Sequence, residues 1–170
     1  TEVVIVGRGR MVAASSPAGP AFEGGLVRYG MPGYEGAIES VQIAEDGSFQ
    51  CATIGDVPPV GICGSGLVDL LAELRRAEQM SERGVIGDGR SRNRHIVLDA
   101  DRGISFSAED ASHLAQAKAA NACGQQIVLR CLGIAPEALE RVTLAGGFAN
   151  TLDVDNAIAI GLLAPIDPAR

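Results

Sequence analysis

The stretch Val142-Thr143-Leu144-Ala145-Gly146-Gly147-Phe148-Ala149-Asn150 joins an apolar, β-branched run to a pair of glycines. The run predicts a buried strand over residues 141–145, and Asp153 predicts the N-cap of a short helix over residues 154–162. Ligands of open α/β sheets bind beyond the carboxyl ends of strands, and glycine lets them approach the backbone closely. The turn formed by Gly146, Gly147, Phe148 and Asn150 is therefore a candidate contact for the phosphate or ribose of a nucleotide. A tight turn without a ligand is the alternative.

A second glycine-rich segment, residues 61–66, comes directly before a strong helix signal. Four leucines recur there at the i, i+3, i+4 and i+7 spacing of one apolar helix face, namely Leu67, Leu70, Leu71 and Leu74. Free N–H groups at a helix start favour anions, so Gly64, Ser65 and Gly66 are further candidate nucleotide contacts. The segment lacks the lysine of a Walker A loop. The alternative is an N-cap formed by Ser65, with glycines that allow close packing.

A third turn, residues 18–25, leads into a predicted short helix over residues 21–26. Gly19 lies in the turn, and Glu23 is a candidate to orient water or to bind Mg²⁺ through water. The alternative for Glu23 is a first-turn carboxylate that interacts with the helix dipole.

The rest of the chain predicts three hairpins and one long helix. The hairpins join residues 3–6 to 10–14, 37–44 to 48–54, and 96–98 to 103–106. The long helix is predicted over residues 108–132, capped by Ser107 with Asp110 three residues on and ended by Gly133. Its expected apolar stripe comprises Leu114, Ala117, Gly124, Ile127, Val128 and Cys131. Strands followed by strand–helix–strand passages indicate an α/β fold with a mixed sheet flanked by helices.

Composition excludes several classes of function. The net charge of -7 disfavours nucleic acid as a partner, because an acidic chain repels phosphate backbones. No apolar stretch reaches the length of a membrane span, so we expect no membrane insertion and a cytoplasmic location. The four cysteines form no C-x-x-C pair, which predicts buried thiols, no bound metal, and no iron–sulfur cluster in this chain.

Taken in order, four segments resemble the C-terminal region of the reductive activators of corrinoid proteins. These segments are residues 1–7, 16–24, 59–71 and 144–150, and the ending over residues 156–163 fits as well. Members of that family carry an N-terminal ferredoxin-like 2Fe-2S domain. An ATPase core of the acetate-kinase, sugar-kinase, heat-shock and actin superfamily follows it. The core has two ribonuclease-H-like lobes, with the nucleotide in the cleft between them.

The resemblance implies that residues 1–170 form one domain, the second lobe of such an actin-like core. The iron–sulfur domain and the first lobe would then lie outside this chain. The Gly146–Gly147 turn matches the adenosine motif of the superfamily, and a five-stranded mixed sheet with the long helix on one face is expected. We expect a branched side chain at Gly147 to occupy ligand space and to strain the turn.

The implied activity is ATP-dependent reduction of inactive Co(II) corrinoid protein to Co(I), with Mg²⁺ and ATP bound by the full-length protein. The implied partners are a corrinoid protein or corrinoid-dependent methyltransferase, together with the remaining domains of the same polypeptide. Ser16 stands where the related dehydratase activators have a cluster-binding cysteine, which disfavours that activity. Two alternatives stay open: a docking module of the same fold without ATP turnover, and one lobe of a small-molecule kinase.

Overall fold

The computed structural model describes residues 1–87 and 95–166. Within them, strands β1 (Glu2–Gly7) and β2 (Arg10–Ser15) form an antiparallel hairpin. Strands β6 (His95–Asp99) and β7 (Ile104–Ser107) form another. A glycine- and arginine-rich sequence, residues 81–94, predicts a loop and lies partly outside the described residues.

A three-stranded mixed sheet lies between these hairpins along the chain. Its central strand β3 (Ala37–Ile43) pairs antiparallel with β4 (Phe49–Thr53) and parallel with the short β5 (Gly61–Ile62). Helix α1 (Gly64–Arg76) follows β5 directly and packs on β3. All four leucines of its predicted apolar face are buried. The α/β class with a mixed sheet and flanking helices is therefore confirmed.

Helix α2 (Ala108–Leu132) has the predicted bounds and packs on the β1–β2 hairpin. Ser107 and Asp110 form the predicted capping box, and Gly133 ends the helix in the left-handed conformation at φ 62°. The predicted stripe is wrong in two places, because Ile127 and Cys131 are exposed. The contact face instead continues through Asn121, Leu129 and Leu132, which follow the 3.6-residue period more closely.

Three predictions about the other elements are wrong. Residues 141–145 form no strand, since no described strand pairs with them, although their burial alternates as in a strand. The largest sheet among the described residues accordingly has three strands rather than five. The helix predicted for residues 21–26 is only the 3-10 helix Ala21–Glu23, because Gly24 turns to φ 85° and ends it.

The last helix, α3 (Val154–Ala159), begins as predicted and ends earlier, at a turn completed by Gly161. The predicted cap is confirmed, because the Asp153 side chain accepts a hydrogen bond of 2.8 Å from the Asn156 N–H. Buried side chains of α3 join those of α1, β3, β7 and α2 in one hydrophobic core. The glycine-rich turn before α3 lies beside the start of α1, because the Phe148 ring of that turn packs against Gly64.

Candidate functional site

The Phe148 ring brings the three glycine-containing segments together. Its centroid lies 6.3 Å from that of Phe22, with the two rings tilted by 33°. A Cβ placed on Gly64 would lie 2.6 Å from the Phe148 ring and 2.4 Å from the Phe22 carbonyl oxygen. Only glycine fits at that position, because real Cβ atoms do not approach other atoms so closely. The structure thus places the segments around residues 22, 64 and 148 in direct contact.

The turn at Gly146 and Gly147 is the open part of this cluster. Both glycines are exposed, and no heavy atom lies within 4 Å of a Cβ built on either one. Gly146 has φ 115°, whereas Gly147 has φ -58° and ψ -40°, which every residue type adopts easily. The expectation that a side chain at Gly147 strains the turn is therefore wrong, and the strained position is Gly146.

Hydrogen-bonding groups remain available on this turn. The 3-10 helix Phe148–Asn150 begins there, and its internal bonds use the N–H groups of Ala149 and Asn150. Among the described residues, the N–H groups of Gly147 and Phe148 and the Asn150 side chain have no protein partner. Two exposed backbone donors and a carboxamide beside open space fit the polar atoms of a nucleoside.

The start of α1 is closed rather than open. Gly64, Ser65 and Gly66 are all buried, and a Cβ on Gly66 would lie 2.3 Å from the Ile38 carbonyl oxygen. The N-cap is Cys63, and the Ser65 hydroxyl lies 3.3 Å from the Cys63 sulfur. Capping by Ser65 is therefore wrong, while close packing at both glycines is confirmed. Gly64 is the part of this buried wall that contacts the exposed turn, through the Phe148 ring.

Gly19 and Glu23 flank Phe22 in the chain. Both are exposed, and Gly19 has φ 68° with open space at its Cβ position. Glu23 ends the 3-10 helix, and its backbone N–H donates to the Pro20 carbonyl oxygen at 3.0 Å. Glu23 is thus an exposed carboxylate one residue after Phe22 in the chain.

A buried polar network, which no sequence pattern predicted, joins helices α1 and α3. The Asn156 side chain of α3 donates a 2.7 Å hydrogen bond from Nδ2 to Asp69 Oδ1 in the middle of α1. The other carboxylate oxygen of Asp69 accepts from the Val41 N–H at 3.4 Å, and Arg76 donates to Asn156 Oδ1. The available signal was an aspartate flanked by Val68 and Leu70 on a leucine-rich helix.

Burial raises the pKa of Asp69 above its usual range. Hydrogen bonds from Asn156 and Val41 act in the opposite direction and lower it, while the nearby charges of Asp153 and Glu73 raise it. Burial and the two neighbouring acidic groups therefore act against the two hydrogen-bond donors in setting the pKa of this carboxyl group.

Ser16 is a second feature that the sequence did not predict. It is buried, and its hydroxyl has no hydrogen-bond partner among the described residues. A Cβ on Gly124 of α2 would lie 2.0 Å from the Ser16 oxygen. The serine thus packs against the glycine of α2.

Metal-binding groups are not gathered within the described ranges, where no cluster of three or more His, Cys, Asp or Glu side chains could hold an ion. All four cysteines are free thiols, and the prediction that they are buried is wrong for Cys123 and Cys131, which are exposed. Burial raises the pKa of the Cys51 thiol, and the charge of Asp99 raises it further.

A cavity of about 530 Å³ lies elsewhere, lined partly by Phe49, Cys51, Asp56 and Asp99, and includes none of the predicted site residues. In the part of the chain that the structure covers, no helix has both the length and the apolar character needed to cross a membrane.

A family model, a characterised relative and a solved structure that match this chain agree with one another. The family model described as the C-terminal domain of RACo, the ASKHA domain, matches residues 1–170. The corrinoid activation enzyme RamQ of Eubacterium limosum is 33% identical over an alignment that covers 98% of this chain and 31% of RamQ. A solved reductive activator for corrinoid, iron-sulfur protein superposes with a TM-score of 0.83 at 38% identity, covering 95% of this chain and 28% of that one.

This chain thus spans less than a third of the length of either relative. The match to the family model extends over every residue, and the identity to RamQ runs through nearly the whole chain. The chain therefore belongs to the family of RACo C-terminal ASKHA domains.

Proposed function

We propose that this chain is the second, nucleotide-binding lobe of a longer ATP-dependent activator that reduces inactive Co(II) corrinoid protein to Co(I). One observation carries the proposal. Phe148 packs against Phe22 and Gly64, and this contact leaves the Gly146–Gly147 turn exposed with unpaired N–H donors. Such a turn, backed by a buried wall and open in front, suits the adenosine part of a nucleotide.

The residues divide between contact and support. Gly146 and Gly147 allow the nucleotide to approach the backbone, the N–H groups of Gly147 and Phe148 donate to it, and the Asn150 carboxamide orients it. Gly64, Ser65 and Gly66 shape the wall from behind, because their burial keeps them from direct contact in this arrangement.

Gly19 and Glu23 belong to the rim, where the carboxylate can hold Mg²⁺ through water. When bound, ATP supplies the free energy that makes an uphill electron transfer possible. That coupling requires the nucleotide to bind one arrangement of the two lobes better than another.

The chemistry itself belongs to the longer protein. One electron passes from an iron–sulfur cluster outside this chain to the cobalt of the partner, so that Co(II) becomes Co(I). The partner is a corrinoid protein or a corrinoid-dependent methyltransferase, and the reaction takes place in the cytoplasm. The names of the two relatives, a corrinoid activation enzyme and a reductive activator, support this assignment.

The test uses the intact protein with a chemically reduced iron–sulfur domain and a Co(II) corrinoid protein. Absorbance of Co(I) should rise when ATP is added and should not rise without ATP. A protein that binds ATP without turning it over would favour the docking module. Phosphorylation of a small molecule without cobalt reduction would favour the kinase lobe, and either result contradicts the proposal.

A further inference from the structure

We propose that Asp69 and Asn156 are positioning residues that hold the nucleotide-binding turn in its position relative to helix α1, an inference that rests on the proposed function. Neither side chain touches the exposed turn. Both are buried, and they join α1 to α3 across a distance of 87 residues in sequence. Their effect on the ligand therefore passes through the two helices.

The turn is attached to α1 at two points. At one point, the Phe148 ring lies against Gly64, the first residue of α1. At the other, α3 begins at Val154, four residues after Asn150, and its Asn156 bonds to Asp69 in the second turn of α1. Arg75 adds a 3.0 Å hydrogen bond to the Ala159 carbonyl oxygen. Without the Asp69–Asn156 bond, the turn keeps its contact at Phe148, while α3 keeps its bonds to Arg75 and Arg76 near the C-terminus of α1 and loses the buried bond in the middle of that helix.

The positions of donors and acceptors explain why neither Asp69 nor Asn156 can be exchanged alone. Asp69 accepts twice, from the Val41 N–H and from Asn156 Nδ2, while Asn156 Oδ1 accepts from Arg76. In Asp69→Asn, one orientation of the new amide places its NH₂ group against the Val41 N–H, and the other places it against the NH₂ group of Asn156. Rotating the Asn156 amide to relieve that clash turns its NH₂ group toward Arg76, which can only donate. In Asn156→Asp, two buried carboxylates face each other and repel.

The exchanged pair, Asp69→Asn with Asn156→Asp, restores every partner. The new amide at position 69 accepts from Val41 and donates to the carboxylate at position 156, which also accepts from Arg76. The total charge of the network is unchanged. A positioning role therefore predicts that the double variant recovers what each single variant loses.

The experiment measures the dissociation constant of Mg-ATP for the intact protein, together with the melting temperature without nucleotide. Each single variant should bind ATP at least tenfold more weakly at a temperature where it is fully folded, and the exchanged pair should return to within about threefold of the wild type. Ser107→Ala serves as the matched control, because it removes the cap of α2 and leaves both side chains of the Asp69–Asn156 bond in place. It should lower the melting temperature and leave the ATP affinity unchanged.

The outcomes separate this inference from the proposed function. Wild-type affinity in both folded single variants would overturn the positioning role while leaving the nucleotide site in place. Loss of affinity in Ser107→Ala in proportion to its melting temperature would also overturn it, since general loosening would then explain the effect. Failure of the wild-type protein itself to bind Mg-ATP would contradict the proposed function.

Discussion

Substitution of Gly147 by valine separates ligand binding from folding at the exposed turn. The backbone of Gly147 lies at φ -58° and ψ -40°, and its Cβ position has no heavy atom within 4 Å. Among the glycines whose surroundings the structure describes, it alone combines an ordinary φ with empty space. A side chain can therefore be added there without a clash and without backbone strain.

The expected change in stability is small. Valine in a helical conformation is about 0.5 kcal/mol more favourable than glycine, and it also reduces the freedom of the unfolded chain. The melting temperature of Gly147→Val should therefore stay within roughly 2–4 °C of the wild type, the shift that about 1 kcal/mol produces in a domain of this size.

The expected change in affinity is much larger. A branched side chain occupies the space in front of the N–H groups of Gly147 and Phe148, so a nucleotide there loses both hydrogen bonds. Each such bond contributes about 0.5–1.5 kcal/mol net. Their loss weakens ATP binding by about 1–3 kcal/mol, or roughly 5- to 150-fold in Kd.

The assay is calorimetric titration of the intact protein with Mg-ATP, paired with a thermal melt in the absence of nucleotide. Gly33→Val is the matched control, because Gly33 is also exposed, has no positive φ, and its Cβ would make only an ordinary 3.6 Å contact with Ile54. Equal ATP affinity for Gly147→Val and Gly33→Val would refute the placement of the ligand at this turn.

Five further predictions concern the chain itself. Ser16→Ala should leave the melting temperature equal or raise it, because it removes a buried hydroxyl without a partner; a clear fall in a thermal scan would show that the hydroxyl is bonded. Ser107→Ala should cost about 1 kcal/mol in chemical denaturation, because it removes the side-chain acceptor for the Asp110 N–H; an unchanged midpoint would contradict this. Asn156→Leu should raise the pKa of Asp69 further, since a hydrogen bond that lowers it is lost, as carboxyl ¹³C NMR titration can check. Because burial raises the pKa of Asp69 in the folded protein, the free energy of unfolding should increase as pH falls through that pKa and decrease as pH rises through it. The opposite pH dependence of the contribution from Asp69 would contradict this prediction. Finally, elemental analysis of the purified chain should find no stoichiometric iron or zinc, and either metal at one equivalent would contradict the prediction.

Local signals in the sequence were sufficient for the two longer helices, α1 and α2. The leucine period located α1, and Ser107, Asp110 and Gly133 gave both ends of α2, because capping and helix periodicity depend on residues a few positions apart. The three hairpins were predictable for the same reason, since turn and strands are adjacent in the chain.

Contacts between segments that are distant in sequence could not be predicted. Residues 141–145 have a strand-like composition, yet strand formation needs a partner edge, and the described residues provide none. The pairing of β5 with β3 was missed because two residues are too short to show a period. The hydrogen bond between Asp69 and Asn156 joins residues that are far apart in sequence, so no local pattern predicts it.

The sequence identified the segments that form the candidate site but did not predict how they are arranged in space. Glycine-rich turns identified the three segments, but the sequence could not show that Phe148 would cover Gly64 or that Gly66 would serve packing. Whether a glycine faces a ligand or a neighbouring strand depends on the tertiary fold alone.

Hydrogen–deuterium exchange of the intact protein, with and without saturating Mg-ATP, tests the central claim most directly. Bound nucleotide should slow exchange of the Gly147 and Phe148 amides, which have no partner among the described residues in its absence. Amides of β4, which borders the separate cavity, should exchange equally in both states. Unchanged exchange at residues 146–150 under saturating nucleotide, or protection confined to β4, would contradict the assignment of this turn as the nucleotide-binding site.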